Sequence, residues 1–137
     1  MNDRKTVGLV AAGGAIGALA RYGLIRAFPI SAGHFPATTL AVNLSGAFLL
    51  GVLLEALLRR GRPDHWLRIL AGVGVLGAYT TFSTFADETA LLARGGHVAT
   101  AVVYDAVSLV GGVVAVVLGL VVAGWRYRPP LPDEGES

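Results

Sequence analysis

The chain has 137 residues, of which 54% are hydrophobic and only 15% are charged, and its net charge is +2. This composition is unusual for a soluble domain of this length and is typical of a protein that lives in a lipid bilayer. The basic residues lie at segment ends and in connections, so the positive charge indicates membrane orientation and not a nucleic-acid partner. The absence of cysteine excludes disulfides and thiolate metal sites.

Four apolar windows have the roughly 20 residues that a helix needs to cross about 30 Å of hydrocarbon. They cover about residues 6–28, 37–58, 66–93 and 98–125. The joints between them are short, which makes neighbouring helices antiparallel. We therefore predict an all-α membrane protein with one four-helix domain, residues 1–128. The Pro-rich, acidic tail 129–137 is interpreted as disordered.

The first window has a second interpretation, because Arg4 and Lys5 precede an apolar run that ends in the small-residue pattern of Ala18 and Ala20. Such a pattern is typical of a cleaved secretory signal peptide. Cleavage would leave three spans. The apolar character continues past this site through residues 22–25, which favours a membrane span.

The first and fourth windows carry small residues at helical spacing. Gly13 and Gly17 form a GxxxG pair, and Gly111, Ala115 and Gly119 continue the same spacing in the fourth window. Small residues four apart allow two helix backbones to approach closely. We expect these positions to serve helix packing.

Polar residues in the second and fourth windows also recur four apart, as Thr39 with Asn43 and Tyr104 with Ser108. Each pair therefore lies on one face of its helix. A polar side chain is costly in lipid and usually faces the bundle interior or a watery cavity. The two pairs either line one polar track or form hydrogen bonds between helices.

The third window is interrupted. Gly72, Gly74 and Gly77 weaken the helix, and the hydroxyl residues of 80–84 follow at once. We expect a break near Gly77 to Thr80. Carbonyls freed by such a break can hold a cation if they are buried in protein or line a cavity. The hydroxyls can equally cap the second half of the helix.

Phe82 and Phe85 lie three residues apart on one face of that second half. The edge of an aromatic ring is positive, so it can receive an anion without carrying a full charge. Two phenylalanines alone are typical of a core. Their neighbourhood of hydroxyl and amide donors, without a lysine inside the spans, favours an anion path.

Motifs for enzymes are weak in this chain. Residues 72–77, "GVGVLG", match the GxGxxG fingerprint, but no strand precedes them. His34, His65 and His97 lie one in each connection, without the close spacing of a metal site. GxSxG and HExxH do not occur. We therefore do not expect an enzyme.

Four segments together resemble one family, the Fluc fluoride channels, also called the CrcB family. They are "GGAIGALARY" (13–22), "TTLAVNLSGAFLLG" (38–51), "GAYTTFSTF" (77–85) with Glu88 shortly after, and "YDAVSLVGG" (104–112). The resemblance spans all four helices. It implies an antiparallel dimer of four-helix subunits, with two fluoride pores and a structural sodium ion at the dimer centre.

The resemblance also implies roles for individual residues. Gly77 and Thr80 are expected to offer backbone carbonyls to the sodium. Together with Thr39 from the polar pairs, the expected pore residues are Arg21 near the pore mouth, the amide of Asn43, the rings of Phe82 and Phe85, and Tyr104 and Ser108 on the fourth helix. Gly112 stands where some members carry a hydroxyl, which puts the far end of the polar track in question.

The implied function is passive export of fluoride across a prokaryotic plasma membrane. Fluoride holds its water tightly, so a pore must replace that water with strong donors without trapping the ion. Neutral donors and ring edges suit this compromise. No energy source is needed, because fluoride enters as neutral HF from acidic surroundings, ionises inside the cell and leaves through the channel.

Two other classes stay open. A small dimeric drug exporter also has four short helices, but it needs a central membrane carboxylate for proton exchange. The acidic residues of the windows all lie toward the span ends, as Glu55, Asp87, Glu88 and Asp105. A non-conducting scaffold would need only the packing glycines, and it gives no reason for Asn43, Phe82 and Phe85.

The charges predict one orientation in the membrane. Eight basic residues lie on the face that holds both termini: Arg4, Lys5, Arg59, Arg60, Arg62, Arg68, Arg126 and Arg128. Only Arg26 and Arg94 lie on the opposite face. Because basic residues stay cytoplasmic, most copies should insert with both termini inside the cell. The antiparallel dimer then forms with an oppositely oriented paralogue, and with a second copy of this chain only if insertion is mixed.

Overall fold

The computed structural model describes residues 2–59 and 65–125, which contain helices and no strand. The helices are α1 (Asp3–Ala27), α2 (Ala37–Arg59), α3 (His65–Leu67), α4 (Gly77–Tyr79), α5 (Phe82–Arg94) and α6 (Val98–Trp125), with a π-helical segment (Arg68–Leu76) between α3 and α4. The predicted tail 129–137 lies outside the described residues.

Four stretches of the described chain are long and apolar enough to cross a membrane. They are the first span (Asp3–Ala27), the second (Ala37–Arg59), the third (Arg68–Arg94) and the fourth (Val98–Trp125). The predicted all-α membrane protein with four spans is confirmed.

The ends of the helices follow local chemistry. The first helix begins at Asp3, three residues before the predicted start, because the side chain of Asn2 accepts a hydrogen bond from the N–H of Arg4 at 3.4 Å. Between α5 and α6 the chain turns at Gly96, whose φ of 83° favours glycine. The N–H of His97 then donates to the carbonyl of Leu92 at 2.8 Å, which satisfies the end of α5.

The third span departs from a regular α-helix before it breaks. In the π-helical segment the turns are wider, and at its end the N–H of Gly77 donates to the carbonyl of Gly72, five residues back. Such segments are rare and occur often at functional sites. Gly77 itself keeps helical backbone angles, with φ −63° and ψ −33°.

The break in the third span lies at Thr80 and Thr81. Both residues are extended, with φ −75° and ψ 157° at Thr80 and φ −145° and ψ 119° at Thr81. Helix α4 ends just before them and α5 begins just after. The interruption is consistent with the predicted break, but it lies at the end of the predicted range and one residue beyond it.

The first span packs against the third through its two glycines. A Cβ atom on Gly13 would collide with the carbonyl oxygen of Leu70, and one on Gly17 would collide with that of Val75. Both glycines are buried. The prediction that this GxxxG pair serves packing is confirmed, and the contact holds α1 directly beside the break.

The second span packs along the fourth in the same way. A Cβ on Gly119 would collide with the carbonyl oxygen of Phe48, and one on Gly51 would collide with that of Val116. The predicted packing role of Gly119 is confirmed, while Gly51 on the facing helix was not singled out by the sequence pattern. The close pairing of α2 and α6 brings their polar residues to one side of the bundle.

Little of the described chain is buried within the subunit. In the most apolar window of each span, between 6% and 22% of the residues are buried. Large side chains such as Leu19 (70% exposed) and Leu109 (73% exposed) project outward. Apolar surface on this scale is stable only against lipid or another protein surface. The chain is therefore a multi-pass membrane protein.

Candidate functional site

The side chain of Asn43 on α2 holds the break in the third span. Its amide nitrogen donates to the carbonyl of Thr81 at 3.0 Å, and its amide oxygen accepts from the N–H of Thr81 at 2.8 Å. The two bonds satisfy both polar groups of an extended residue at membrane depth, which lipid cannot do. Asn43 therefore supports the backbone, and one of its two amide hydrogens is left for another acceptor.

Thr81 begins the second half of the span. Its hydroxyl oxygen accepts from the N–H of Thr84 at 3.1 Å and donates to the hydroxyl of Thr84 at 3.0 Å. The capping role expected of the hydroxyl run is therefore filled by Thr81. The hydroxyl of Thr80 points back instead and donates to the carbonyl of Leu76 at 3.0 Å.

The same bonds release two carbonyls, those of Gly77 and Thr80. In a continuous helix the N–H of Thr81 would donate to Gly77 and that of Thr84 would donate to Thr80. Both N–H groups go elsewhere, to Asn43 and to the hydroxyl of Thr81. These are the two carbonyls expected to hold sodium, so the chemistry of the break fits a cation bound by neutral oxygens.

Arg21 also reaches the break. Its guanidinium donates to the carbonyl of Thr80 at 3.4 Å, in a partly buried contact between α1 and the third span. Arg21 lies one helical turn beyond Gly17, so the close packing of α1 places it there. The structure thus puts Arg21 beside Thr80.

A groove of about 460 Å³ opens next to the break, between α2, the third span and α6. It brings together most of the predicted site residues: Asn43, Gly77, Thr80, Phe82, Phe85 and Ser108. The rest of the lining is mainly small or apolar, from Gly46, Ala47, Leu50, Gly72, Leu76, Thr81, Leu109 and Val116. The groove therefore offers few polar groups in an otherwise apolar wall.

Two aromatic rings and one hydroxyl characterise the groove. The ring centroids of Phe82 and Phe85 lie 5.8 Å apart with the planes tilted by 41°. Phe82 is 80% exposed in the single subunit. The hydroxyl oxygen of Ser108 is buried and has no hydrogen-bond partner among the described residues. An unsatisfied buried hydroxyl is ready to bind a further acceptor.

Tyr104 and Thr39 do not line the groove, and they meet at Glu88 instead. The hydroxyl of Tyr104 donates to one oxygen of the Glu88 carboxylate at 2.8 Å, and the hydroxyl of Thr39 donates to the other at 2.7 Å. Tyr104 is completely buried. Each hydroxyl has a single proton to donate, so neither residue can donate to an anion while its hydroxyl is bonded to Glu88.

The cluster around Glu88 is connected to the groove through aromatic rings. The ring of Tyr104 lies 5.1 Å from that of Phe85 and 5.6 Å from that of Phe35, measured between centroids. Sequence reasoning missed Glu88 as a site residue, because a carboxylate toward the end of a span was not expected to take part in a site inside the membrane. The signal that could have found it is its position three residues after Phe85, on the same face of α5.

A second groove, of about 550 Å³, opens at the far end of α5 and also reaches Glu88. It is lined by the connection between α1 and α2, including Gly33 and His34, and by His97 beyond α5. Glu88 therefore lies between this second groove and Tyr104, so the Glu88 cluster can be approached from the end of the bundle.

The chain matches a known family over most of its length. The family is described as CrcB-like protein, Camphor Resistance (CrcB), and the match covers residues 8–120. This range includes parts of all four spans.

Curated relatives are similar over more than four fifths of the chain. A protein of Lactiplantibacillus plantarum named as a fluoride-specific ion channel is 47% identical over 117 residues, which cover 85% of this chain and 97% of the relative. Proteins with the same kind of name from a Caulobacter species (43% over 118 residues; 84% of this chain, 91% of the relative) and Novosphingobium aromaticivorans (46% over 114 residues; 81% and 90%) are also similar.

Proposed function

The chain belongs to the CrcB-like protein family, and we propose that it is a fluoride channel through which cytoplasmic fluoride leaves the cell passively. The family is one of ion channels and not of enzymes. The observation that carries the proposal is the groove beside the break, in which Asn43, Phe82, Phe85 and Ser108 come together. All four offer an anion a positive edge or a neutral donor.

The groove suits fluoride because its donors are neutral. Fluoride loses a strongly held water shell on entering a pore, and the pore must replace that shell without binding too tightly. The free amide hydrogen of Asn43 and the unpartnered hydroxyl of Ser108 can donate to the ion. The edges of Phe82 and Phe85 add weaker attraction in an apolar wall.

Beyond Phe85 the proposed path continues to Tyr104, Thr39 and Glu88. Tyr104 packs on Phe85, so an ion that passes that ring reaches the tyrosine hydroxyl next. The two hydroxyls serve fluoride only when the Glu88 carboxylate turns away and releases them. The second groove, which reaches Glu88 from the end of the bundle, is then the exit to water.

The direction of transport follows from acid chemistry and needs no coupled ion. Hydrogen fluoride is neutral and crosses a bilayer, and it ionises at the higher pH of the cytoplasm. The accumulated fluoride then runs down its gradient through the channel. The protein would work in the plasma membrane of a bacterium, which is the inner membrane where there are two.

The proposed structural sodium ion is held by the carbonyls of Gly77 and Thr80. Their helical donors are engaged with Asn43 and Thr81, which supports this assignment. The run at the break, residues 77–80, offers carbonyls and contains no carboxylate that could release the ion by protonation. Sodium would act as a fixed positive charge that favours an anion nearby.

The proposed assembly is an antiparallel dimer, with a second copy of this chain or an oppositely oriented paralogue. The groove is open on one side of the subunit, and Phe82 stands exposed at that side. Two carbonyls are too few for a sodium ion, so carbonyls from a second subunit would complete the site. Closing the groove with a second subunit would also enclose the pore.

The proposed function is tested by growth in fluoride. A bacterial strain without its own fluoride channel is transformed with the wild-type gene or an empty vector and grown at rising fluoride concentration in mildly acidic medium. The proposal expects the wild-type gene, and not the empty vector, to restore growth when copies of both orientations are present in the membrane. Equal inhibition of both strains, with the protein detected in the membrane in both orientations, would show that the chain does not export fluoride.

A further inference from the structure

Two cations can bind the carbonyl oxygen of Thr80. It is one of the proposed sodium ligands, and it already accepts a hydrogen bond from the guanidinium of Arg21 at 3.4 Å. Its helical donor, the N–H of Thr84, is engaged with Thr81. The side chain that donates to this freed carbonyl is therefore itself a cation.

The backbone packing fixes Arg21 in this position. Gly17 brings α1 against Val75 and the N–H of Tyr79, so closely that no Cβ fits between them. Arg21 follows one turn later on the same face. Its reach to the break is therefore a consequence of rigid helix packing and not of a long flexible side chain alone.

The charge of Arg21 is not neutralised nearby. Among residues 2–59 and 65–125, no carboxylate forms an ion pair with it. Its contact with Thr80 is partly buried, where charges interact more strongly than in water. A sodium ion at the same carbonyl would feel a like charge within a few ångströms.

We propose that Arg21 is a tethered cation that competes with sodium at the Thr80 carbonyl and so sets the sodium affinity of the break. This inference rests on the proposed sodium site and adds a regulating residue to it. Arg21 supports the break when sodium is scarce, and its repulsion keeps the sodium affinity moderate when sodium is present. Removing its charge makes the protein bind sodium more tightly and depend on sodium more.

The test is a sodium titration of purified protein in detergent. The unfolding temperature is followed by tryptophan fluorescence while sodium replaces a large organic cation at constant ionic strength. A ligand that binds only the folded state raises this temperature with its concentration. The sodium concentration that gives half of the rise measures affinity without any transport.

Three variants separate charge from shape. Arg21→Gln is expected to lower the half-effect sodium concentration by about tenfold or more, because one repelling charge is lost from a partly buried site. Arg21→Lys keeps the charge and is expected to stay within about threefold of the wild type. Arg26→Gln removes the same charge from an exposed position in the last turn of α1 and serves as the matched control.

The outcomes distinguish this inference from the sodium site itself. A wild type that responds to sodium, with Arg21→Gln indistinguishable from Arg26→Gln, overturns the role of Arg21 and leaves the sodium site standing. A wild type that responds to sodium no more than to potassium overturns both. Arg21→Gln is kept in high sodium during purification, and Arg21→Met repeats the titration if the first variant is lost.

Discussion

Phe85 lies where the groove meets the Glu88 cluster. Its ring packs beside Phe82, which is exposed at the groove, and beside Tyr104, which is buried. In the proposed path, an ion that moves from the groove to the Glu88 cluster passes this ring. The aromatic edge is the feature of Phe85 that an aliphatic side chain of similar size cannot supply.

Replacing either phenylalanine should therefore slow fluoride without unfolding the protein. For Phe82→Ile and Phe85→Ile we expect efflux to fall about tenfold or more, since a lost contact of roughly 1.4 kcal/mol at the barrier costs tenfold in rate. The measurement is fluoride-electrode efflux from liposomes. The control is Phe28→Ile, which makes the same replacement at an exposed phenylalanine at the end of α1. Normal efflux through both variants would remove the rings from the pathway.

Glu88 on α5 links three helices, because its carboxylate accepts hydrogen bonds from the hydroxyls of Thr39 on α2 and Tyr104 on α6. Glu88→Gln turns one acceptor into a donor and leaves one hydroxyl without its partner. We expect a loss of about 1–3 kcal/mol of stability, measured as a lower thermal unfolding temperature in detergent. Asp87→Asn, on the exposed neighbour, should leave that temperature unchanged. Equal behaviour of the two variants would show that the cluster is not formed.

At the scale of an element, the third span is two helices joined by two extended residues. Thr81 serves as the cap of α5 while Asn43 satisfies its backbone. The cap and the amide are independent supports, because one uses the side chain of Thr81 and the other uses its peptide groups. The break is therefore stabilised from within the span and from α2.

Removing the cap isolates its contribution. Thr81→Ala should lower the stability by about 1 kcal/mol, the usual value of a helix N-cap, whereas Thr81→Ser keeps the oxygen and should stay near the wild type. Thermal unfolding of the two variants side by side measures the difference. If alanine and serine behave alike, the hydroxyl of Thr81 does not cap α5.

The local patterns of the sequence predicted the spans, the weak third helix and the packing glycines. These depend on hydropathy, spacing and residue type within one segment, so a single sequence carries them. The exact position of the break could not be predicted from the local sequence, because the extended backbone of Thr81 is held by hydrogen bonds to Asn43, 38 residues away. The Glu88 cluster was missed for the same reason, since its two hydroxyls come from other helices.

Among the predicted site residues, the groove unites Asn43, the two phenylalanines, Ser108, and the two residues whose carbonyls are proposed to hold sodium, Gly77 and Thr80. Tyr104 and Thr39 share a different cluster, and Arg21 touches the break from α1. Helical spacing predicted that Thr39 and Asn43 share one face of α2, and that Tyr104 and Ser108 share one face of α6. It could not predict which side chains of the other helices these residues contact. In the proposed path, the two parts work together only when Glu88 releases the two hydroxyls that it holds.

At the scale of the whole molecule, the open groove and the exposed apolar surface make the single subunit incomplete. The orientation of each copy then decides what can complete it. Of the basic residues that predict the orientation, Arg4, Lys5, Arg59 and Arg68 lie at the end of the bundle where α1 begins and α2 ends. Arg60, Arg62, Arg126 and Arg128 lie outside the described residues.

Most copies should insert with both termini in the cytoplasm, because the basic residues of that end outnumber Arg26 and Arg94. Reporters fused to the C-terminus, one active only in the cytoplasm and one only outside it, measure the two populations in cells. A strong cytoplasmic bias favours a dimer with an oppositely oriented paralogue. Equal signals from both reporters would rule out a single orientation and favour a homodimer.

The central claim is that the groove and the Glu88 cluster form a path that passes fluoride and rejects chloride. The most direct test loads liposomes containing the purified protein with equal fluoride and chloride and follows both ions with electrodes after a passive gradient is imposed. We predict that fluoride leaves quickly while chloride stays, with no requirement for a proton or sodium gradient. Chloride efflux as fast as that of fluoride, or fluoride efflux only with a coupled ion gradient, would contradict the account.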